Sequence, residues 1–373
     1  MTDAAATWID RPEGLAEVAA ALATAPWLAL DSESNSMFVY REQICLLQLN
    51  AGGRLFVIDT LALPYGPDTY AALKPMLEDP QRPCYLHGGE YDVGCLRRDF
   101  GIALGGVWDS QQAASLLGWE KTGYGAVVER VTGIALDKAH AQYDWATRPL
   151  ADDALRYAVD DVAHLPRVCD QLREDIAAAD LVEELAIANR AVESAGWSGG
   201  FDVAGFWRIK GSRDLPPPAQ ATLAALWVWR DGIAQARNQP PGRTINNDML
   251  LALARNAPTN FGGLKRLGVR SWLLQEHGEA LIELMRQCRE TPPAIPPRPR
   301  ARDVGDDEHQ RETRLKDWRR IEAERRKVPL QVVLPAKALE YLKQHSAKHL
   351  DAVPQLGPKR IGLYGDKLRE LAG

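Results

Sequence analysis

Trp27-Leu28-Ala29-Leu30-Asp31-Ser32-Glu33 is the stretch on which the reading of this chain turns. An apolar run ends in two carboxylates spaced i and i+2. On a β-strand alternate side chains share a face, so Asp31 and Glu33 point the same way at the strand's end. Like charges held that close repel, and the arrangement is costly unless a cation or a proton lies between them. Hard divalent cations such as Mg²⁺ and Mn²⁺ take oxygen ligands of this kind. Taken alone, the pair fits a solvated acidic turn equally well. What decides between the two is whether the chain supplies further carboxylates in matching settings.

Working outward, short apolar runs at Ile44–Leu49 and Leu55–Ile58 follow, bounded by polar residues or glycine, with a helix before them from Gly14 to Ala25. Such runs read as adjacent strands of a buried sheet. Pro83-Cys84-Tyr85-Leu86-His87 reads as another strand, stopped by Gly88-Gly89. Asp92 then opens a helix whose apolar face includes Val93, Leu96 and Phe100. An aspartate there also suits the helix dipole without any further role. A third acidic stretch, Leu155-Arg156-Tyr157-Ala158-Val159-Asp160-Asp161, lies in a helical pattern running to about Ala179. Tyr157 and Asp161 are i and i+4 and share one face, while Asp160 is rotated away from it. Strands first, then helices interleaved with strands, imply an α/β or α+β domain with helices on a mixed sheet.

The 373 residues suffice for two or three domains with real cores. No apolar run reaches 18 residues, so no membrane span is expected, and the N-terminal residues lack a secretory pattern. Five dispersed cysteines without a Cys-x-x-Cys pair argue against a disulfide framework or a thiolate zinc site and fit a reducing cytoplasm. The net charge of -5 conceals a division. Residues 1–200 hold 30 acidic against 15 basic side chains, and residues 201–373 hold 20 against 30. An acidic front suits cation binding, and a basic rear suits a polyanion.

Behind the Gly-rich break at residues 196–200, residues 212–290 read as helices with short turns. A linker with five prolines, Thr291 to Arg300, follows and is expected to be extended. The remainder reads as a diverged repeat. Trp229-Arg230 corresponds to Trp318-Arg319, Pro240 to Pro329, Leu250 to Leu339 and Leu267-Gly268 to Leu356-Gly357, all at an offset of 89. Arg311 to Lys327 is arginine-rich, which suits phosphate contact, although its interspersed glutamates also fit a solvated helix laced with ion pairs.

In order and spacing, Asp31-x-Glu33, Asp92 within HGGEYD and Tyr157-x-x-x-Asp161 resemble the three exonuclease motifs of the DEDD superfamily in its tyrosine-bearing branch. Cys45-Leu46-Leu47-Gln48, Asp109-Ser110-Gln111 and the stretch from Leu136 to Leu150 resemble the ribonuclease D family in particular. The two rear modules resemble HRDC domains. The resemblance implies a ribonuclease H-like DEDD exonuclease domain with a mixed sheet and flanking helices over 1–200, then a first all-α HRDC domain over 212–290. A Pro-rich linker over 291–310 and a diverged HRDC-like domain over 311–373 would complete the chain.

The activity it implies is a metal-dependent 3′-5′ exoribonuclease releasing nucleoside 5′-monophosphates from RNA 3′ ends, tRNA precursors or other structured RNA being the expected substrates. Two divalent ions, Mg²⁺ or Mn²⁺, would be held by Asp31, Glu33, Asp92 and Asp161, with Tyr157 orienting the attacking water. Lys138, Arg148, Arg325 and Arg326 are the candidate RNA contacts, Lys138 and Arg148 being equally placed to neutralise nearby acids. Neither a membrane nor an obligate protein partner is expected. Ser34 departs from the family pattern, which has an aromatic residue after the glutamate, and Met37, Phe38 or Tyr40 would have to supply that stacking surface. The rival readings are a DNA 3′-5′ exonuclease and a non-catalytic RNA-binding protein with a degenerate nuclease fold.

Overall fold

Six strands form one sheet: β1 (Thr7–Ile9), β2 (Leu28–Ser34), β3 (Ile44–Ala51), β4 (Arg54–Asp59), β5 (Cys84–Leu86) and β6 (Val107–Asp109), in the order β1-β4-β3-β2-β5-β6. The computed structural model describes residues 6–137, 139–140, 142–197, 199–298, 305–345 and 347–373. The sheet is mixed. β2, β3 and β4 run antiparallel to their sequence neighbours, while β1 joins β4, and β5 joins β2 and β6, in parallel. Every residue of β3 is buried, as expected for an inner strand covered on both faces.

Eight helices accompany the sheet: α1 (Leu15–Thr24), α2 (Lys74–Leu77), α3 (Glu90–Phe100), α4 (Ser110–Leu116), α5 (Tyr124–Thr132), α6 (Asp152–Ala163), α7 (Leu165–Ala178) and α8 (Val182–Glu193). One face packs against α1 and α3 through Leu22, Leu47, Phe56, Val93 and Leu96. The other is covered by α6, whose Ala154 and Ala158 pack on Leu46 and Val57. The strands β1 and β6 are only three residues long and carry no alternation that a sequence pattern can register. The long helical pattern toward Ala179 breaks between α6 and α7, because Pro166 offers no N–H in the first turn of the second helix. Gly106 admits no side chain: its φ is 65°, and a Cβ there would stand 2.1 Å from the carbonyl oxygen of Arg82.

Two compact units divide the chain. The first comprises residues 1–34, 43–198 and 304–373, and the second comprises residues 35–42 and 199–303. Most of the expected front domain over 1–200 and of the C-terminal module over 311–373 lies in the first unit, and the expected module over 212–290 lies in the second. Residues 35–42 belong with the second unit because Tyr40 donates its hydroxyl to Asp231 at 2.8 Å and Arg243 lies 4.8 Å over the Phe38 ring. The second unit is helical: α9 (Pro217–Ala236), α10 (Pro241–Thr244), α11 (Asn247–Asn256), α12 (Phe261–Arg266) and α13 (Ser271–Glu290) enclose a core of Leu223, Leu226, Leu250, Leu253, Leu264 and Leu281.

The C-terminal helices α14 (Asp306–Arg326), α15 (Leu330–Val333), α16 (Ala336–Gln344) and α17 (Gly357–Ala372) have their own core around Leu315, Leu339, Leu342 and Leu368. They are also joined to the nuclease body. Val332 enters the cluster of Ala113, Leu172 and Leu185, Gln331 donates to the Ser115 carbonyl at 2.9 Å, and Lys359 pairs with the buried Glu184 at 3.3 Å. Among the described residues no helix is long and apolar enough to cross a membrane.

Candidate active site

The strand β2 carries Asp31 and Glu33 beyond its buried apolar half, on the face crossed by α6. Asp161 projects from α6 toward the same place. One ligand oxygen from each of Asp31, Glu33 and Asp161 can be chosen so that all three lie within 4.8 Å of one another. Tyr157, one helical turn before Asp161, is half-buried beside them and packs against Trp145 and His140.

Asp92 arrives from the other side of the sheet, in the first turn of α3, and is buried. Its Oδ1 accepts the hydroxyl of Ser32 at 2.5 Å. Ser32 was not among the expected site residues. The signal for it is the same alternation that aligns Asp31 with Glu33, since the residue between them must face α3. Asp109 sets the start of α3 and of α4 together: it accepts the Gly89 N–H at 2.8 Å and caps α4 through the N–H groups of Gln111 and Gln112.

The electrostatics of this cluster are adverse when nothing is bound. Burial, then the charges of Asp92, Asp161 and Glu33, push the Asp31 carboxyl well above the usual carboxylate range. Burial, then the charges of Asp161 and Asp92, push Glu33 up to about 9. Asp161 rises to about 7, through burial and then Asp160 and Asp92. Asp92 rises only to about 6, because the Ser32 hydroxyl offsets part of the desolvation. Burial, then Asp161, Glu33 and Asp31, raise the Tyr157 phenol above its ordinary value. Among the described residues, the charges acting most strongly on these carboxyls are all acidic. Carboxylate oxygens of Asp31, Glu33 and Asp161 gathered this closely fit a hard divalent cation.

The expected RNA contacts fare differently. Lys138 lies outside the described residues. Arg148 grips the buried Asp59 with two bonds of 2.7 Å and also donates to the carbonyls of Trp145, Thr147 and Cys45. Of its two open readings, the one the structure takes up is neutralisation, because the guanidinium is spent on a carboxylate and three backbone oxygens. Arg325 is exposed and pairs with Glu322 at 2.6 Å, and Arg326 donates to the Tyr364 hydroxyl. At the departure from the family pattern, the Ser34 hydroxyl stands 2.9 Å from that of Tyr91, while Phe38 and Tyr40 are engaged within the second unit.

The chain resembles known proteins in sequence and in fold. Residues 6–177 match the family model for a 3′-5′ exonuclease, and residues 219–285 match that for the HRDC domain. Over 293 residues the chain is 30% identical to ribonuclease D of Gluconacetobacter diazotrophicus, covering 78% of this chain and 74% of the relative. Ribonuclease D of Pseudomonas paraeruginosa is 31% identical, with 76% and 75% covered. The chain belongs to the ribonuclease D family. It is a 3′-5′ exoribonuclease with an HRDC domain behind its nuclease domain. The fold also resembles the crystal structure of Escherichia coli ribonuclease D, with a TM-score of 0.74 over 98% of both chains at 24% identity. Ribonuclease D relatives act on RNA, and enzymes with DEDD acids generally use divalent metals, as the cluster of Asp31, Glu33 and Asp161 suits.

Proposed function

We propose that this exoribonuclease works with two divalent ions, Mg²⁺ or Mn²⁺, and trims structured RNA such as tRNA precursors one nucleotide at a time. The observation that carries the reading is the cluster of Asp31, Glu33 and Asp161, whose strongest electrostatic neighbours among the described residues are themselves acidic. Asp31, Glu33 and Asp161 would hold one ion, and Asp31 with Asp92 the other. When bound, such a pair compensates charge on the attacking and leaving oxygens of an in-line displacement at phosphorus.

The chain's own groups do the rest. Tyr157 stays a phenol at working pH, because burial and its acidic neighbours raise its proton affinity, so it orients the attacking water by hydrogen bonding and does not act as the base. Ser32 fixes the rotamer of Asp92 from the opposite face of β2. Water adds to the terminal phosphate, the bond to the upstream 3′ oxygen breaks, and that oxygen leaves with a proton. The products are a nucleoside 5′-monophosphate and an RNA ending in a 3′-hydroxyl.

The C-terminal helices are read as a second, diverged HRDC-like module. The starts of α9, α10 and α11 recur as those of α14, α15 and α16 at an offset of 89 residues. In support of an RNA-contacting role, Arg325, Arg326 and Lys359 line an open cleft of about 700 Å³ together with Trp318 and Tyr364. Cations beside aromatic faces suit a phosphate backbone with unstacked bases. A cytoplasmic setting is supported by five cysteines that are all buried and none of which forms a disulfide.

The test is digestion of a 5′-labelled, 3′-extended tRNA and a matched single-stranded DNA, with Mg²⁺, with Mn²⁺ and with chelator. Stepwise metal-dependent shortening of the RNA alone is the expected result. Equal shortening of the DNA would make the enzyme a general exonuclease, and shortening in chelator would overturn the metal reading.

A further inference from the structure

β3 pairs antiparallel with β2 in a register that sets Gln48 directly opposite Asp31. Residues opposed in this way present their side chains on the same face of the sheet. For Gln48 that is the face bearing Asp31 and Glu33 and crossed by α6 with Tyr157 and Asp161. Gln48 is fully buried, at 0% exposure, yet neither its Oε1 nor its Nε2 has a hydrogen-bond partner among the described residues.

Buried side-chain amides are nearly always hydrogen-bonded, so an amide with both ends open in the floor of a site requires an explanation. The nearest residues on its face narrow the choice. Along β3 these are Leu46 and Asn50, and across the sheet they are Asp31 and Val57. Leu46 and Val57 are apolar. Asn50 is already satisfied, donating to the Val162 carbonyl at 3.2 Å and accepting the Gly53 N–H at 2.9 Å. Asp31 alone of these four offers a carboxylate acceptor, and it lies directly opposite.

We infer that Gln48 is a positioning residue for the metal site, whose Nε2–H donates to the Asp31 carboxylate once that carboxylate holds its cation. Ligating carboxylates are commonly held by outer hydrogen bonds that fix their orientation. The residue type suits the task. A lysine here would add a positive charge that competes with the cation, a glutamate would add a fifth like charge, and a leucine would supply no donor. The amide gives a donor at no cost in charge. Its Oε1 remains to accept from water in the filled site.

The inference rests on the metal reading proposed above, and its test separates the two. Mn²⁺ binding to the full-length wild type and to Gln48→Met, which keeps the side-chain volume without the polar atoms, is measured by calorimetry and by the Mn²⁺ resonance spectrum. A 10- to 100-fold weaker affinity in the variant is expected. With it should come activity that recovers as Mn²⁺ is raised, and metal-free thermal stability equal to or above that of the wild type. Equal Mn²⁺ affinity in the two proteins would overturn the inference while leaving the metal site standing. Absence of Mn²⁺ binding by the wild type would overturn both. Should Gln48→Met not fold, the side-chain amide signal of Gln48 in the ¹⁵N-labelled wild type carries the test: it should shift on adding Mg²⁺, and an unmoved signal would overturn the inference.

Discussion

The carboxylate cluster makes the metal-free enzyme less stable than its fold allows, and Glu33→Gln measures by how much. Burial and the charges of Asp161 and Asp92 push Glu33 up to about 9 from an ordinary 4.5. The folded state therefore keeps a proton that the unfolded chain releases above about pH 4.5. Where the folded state binds more protons, stability falls as pH rises. The penalty is absent in acid, grows through the neutral range and levels off above about pH 9. At about 1.36 kcal/mol per pH unit, Glu33 costs the metal-free protein about 3 kcal/mol at pH 7.

Glutamine keeps the shape of the protonated side chain and removes that cost. In chelator at pH 7, Glu33→Gln should therefore raise the melting temperature of the nuclease unit by about 6–12 °C, at ~2–4 °C per kcal/mol for a unit of this size. The gain should shrink to about 1 kcal/mol or less at pH 5. Mg²⁺ or Mn²⁺ should reverse the ranking, because a bound cation stabilises the wild type by mass action and the variant much less. Scanning calorimetry at pH 5, 7 and 9, with and without metal, checks all three statements. A metal-free variant that melts at or below the wild type at pH 7, with the pH dependence unchanged, would refute the reasoning.

Tyr157→Phe should leave Mn²⁺ affinity intact and lower kcat by about 10²-fold or more, the usual scale for a group that positions a proton-bearing reactant. Its raised proton affinity also means that the rate of the wild type should show no inflection from this phenol below about pH 10, which a pH–rate profile would reveal. Arg148→Ala strands the buried Asp59 carboxylate and should cost about 3–5 kcal/mol of stability, read by urea denaturation. Reversing Arg325 and Arg326 together to glutamate should weaken RNA binding and flatten its dependence on salt, with kcat at saturating RNA unchanged. An unaltered affinity at low salt would remove the cleft beside Tyr364 from the RNA path.

What could be read in advance was whatever a local period encodes. Alternation in β2 placed Asp31 and Glu33 on one face, and the i,i+4 spacing placed Tyr157 and Asp161 on another element's matching face. The offset of 89 residues in the rear half recurs in the helix starts. What escaped depends on partners far away in sequence. Asp59 lies 89 residues from Arg148, and no local pattern distinguishes an arginine that reaches it from one that reaches a phosphate. Residues 35–42 continue directly from the strand bearing Glu33, yet Tyr40 finds its acceptor at Asp231. Ile44 to Leu49 reads as a buried strand, and its Cys45-Leu46-Leu47-Gln48 carries a family resemblance without a role for any one side chain. The polar exception within it, Gln48, acquires meaning only from the register that sets it across from Asp31.

These escaped contacts share a physical task. Four carboxyls that repel one another can persist at one place only if their backbones are held independently of the charges. Asp31 and Glu33 lie in an inner strand bonded on both sides, to β3 along its length and to β5 at its base. Asp92 is fixed through the turn that Asp109 pins, by a bond to a backbone N–H that repulsion at the site does not weaken. Asp161 rides on a helix whose apolar stripe, Ala154, Ala158 and Val162, is buried against the sheet. The acids thus come from three separately packed elements, β2, α3 and α6, and relieving the repulsion by moving any one of these elements would break backbone bonds or open the core. Protonation and cation binding are the only low-cost responses left. A scaffold of this kind holds the ligand geometry before the metal arrives and gains stability when it does.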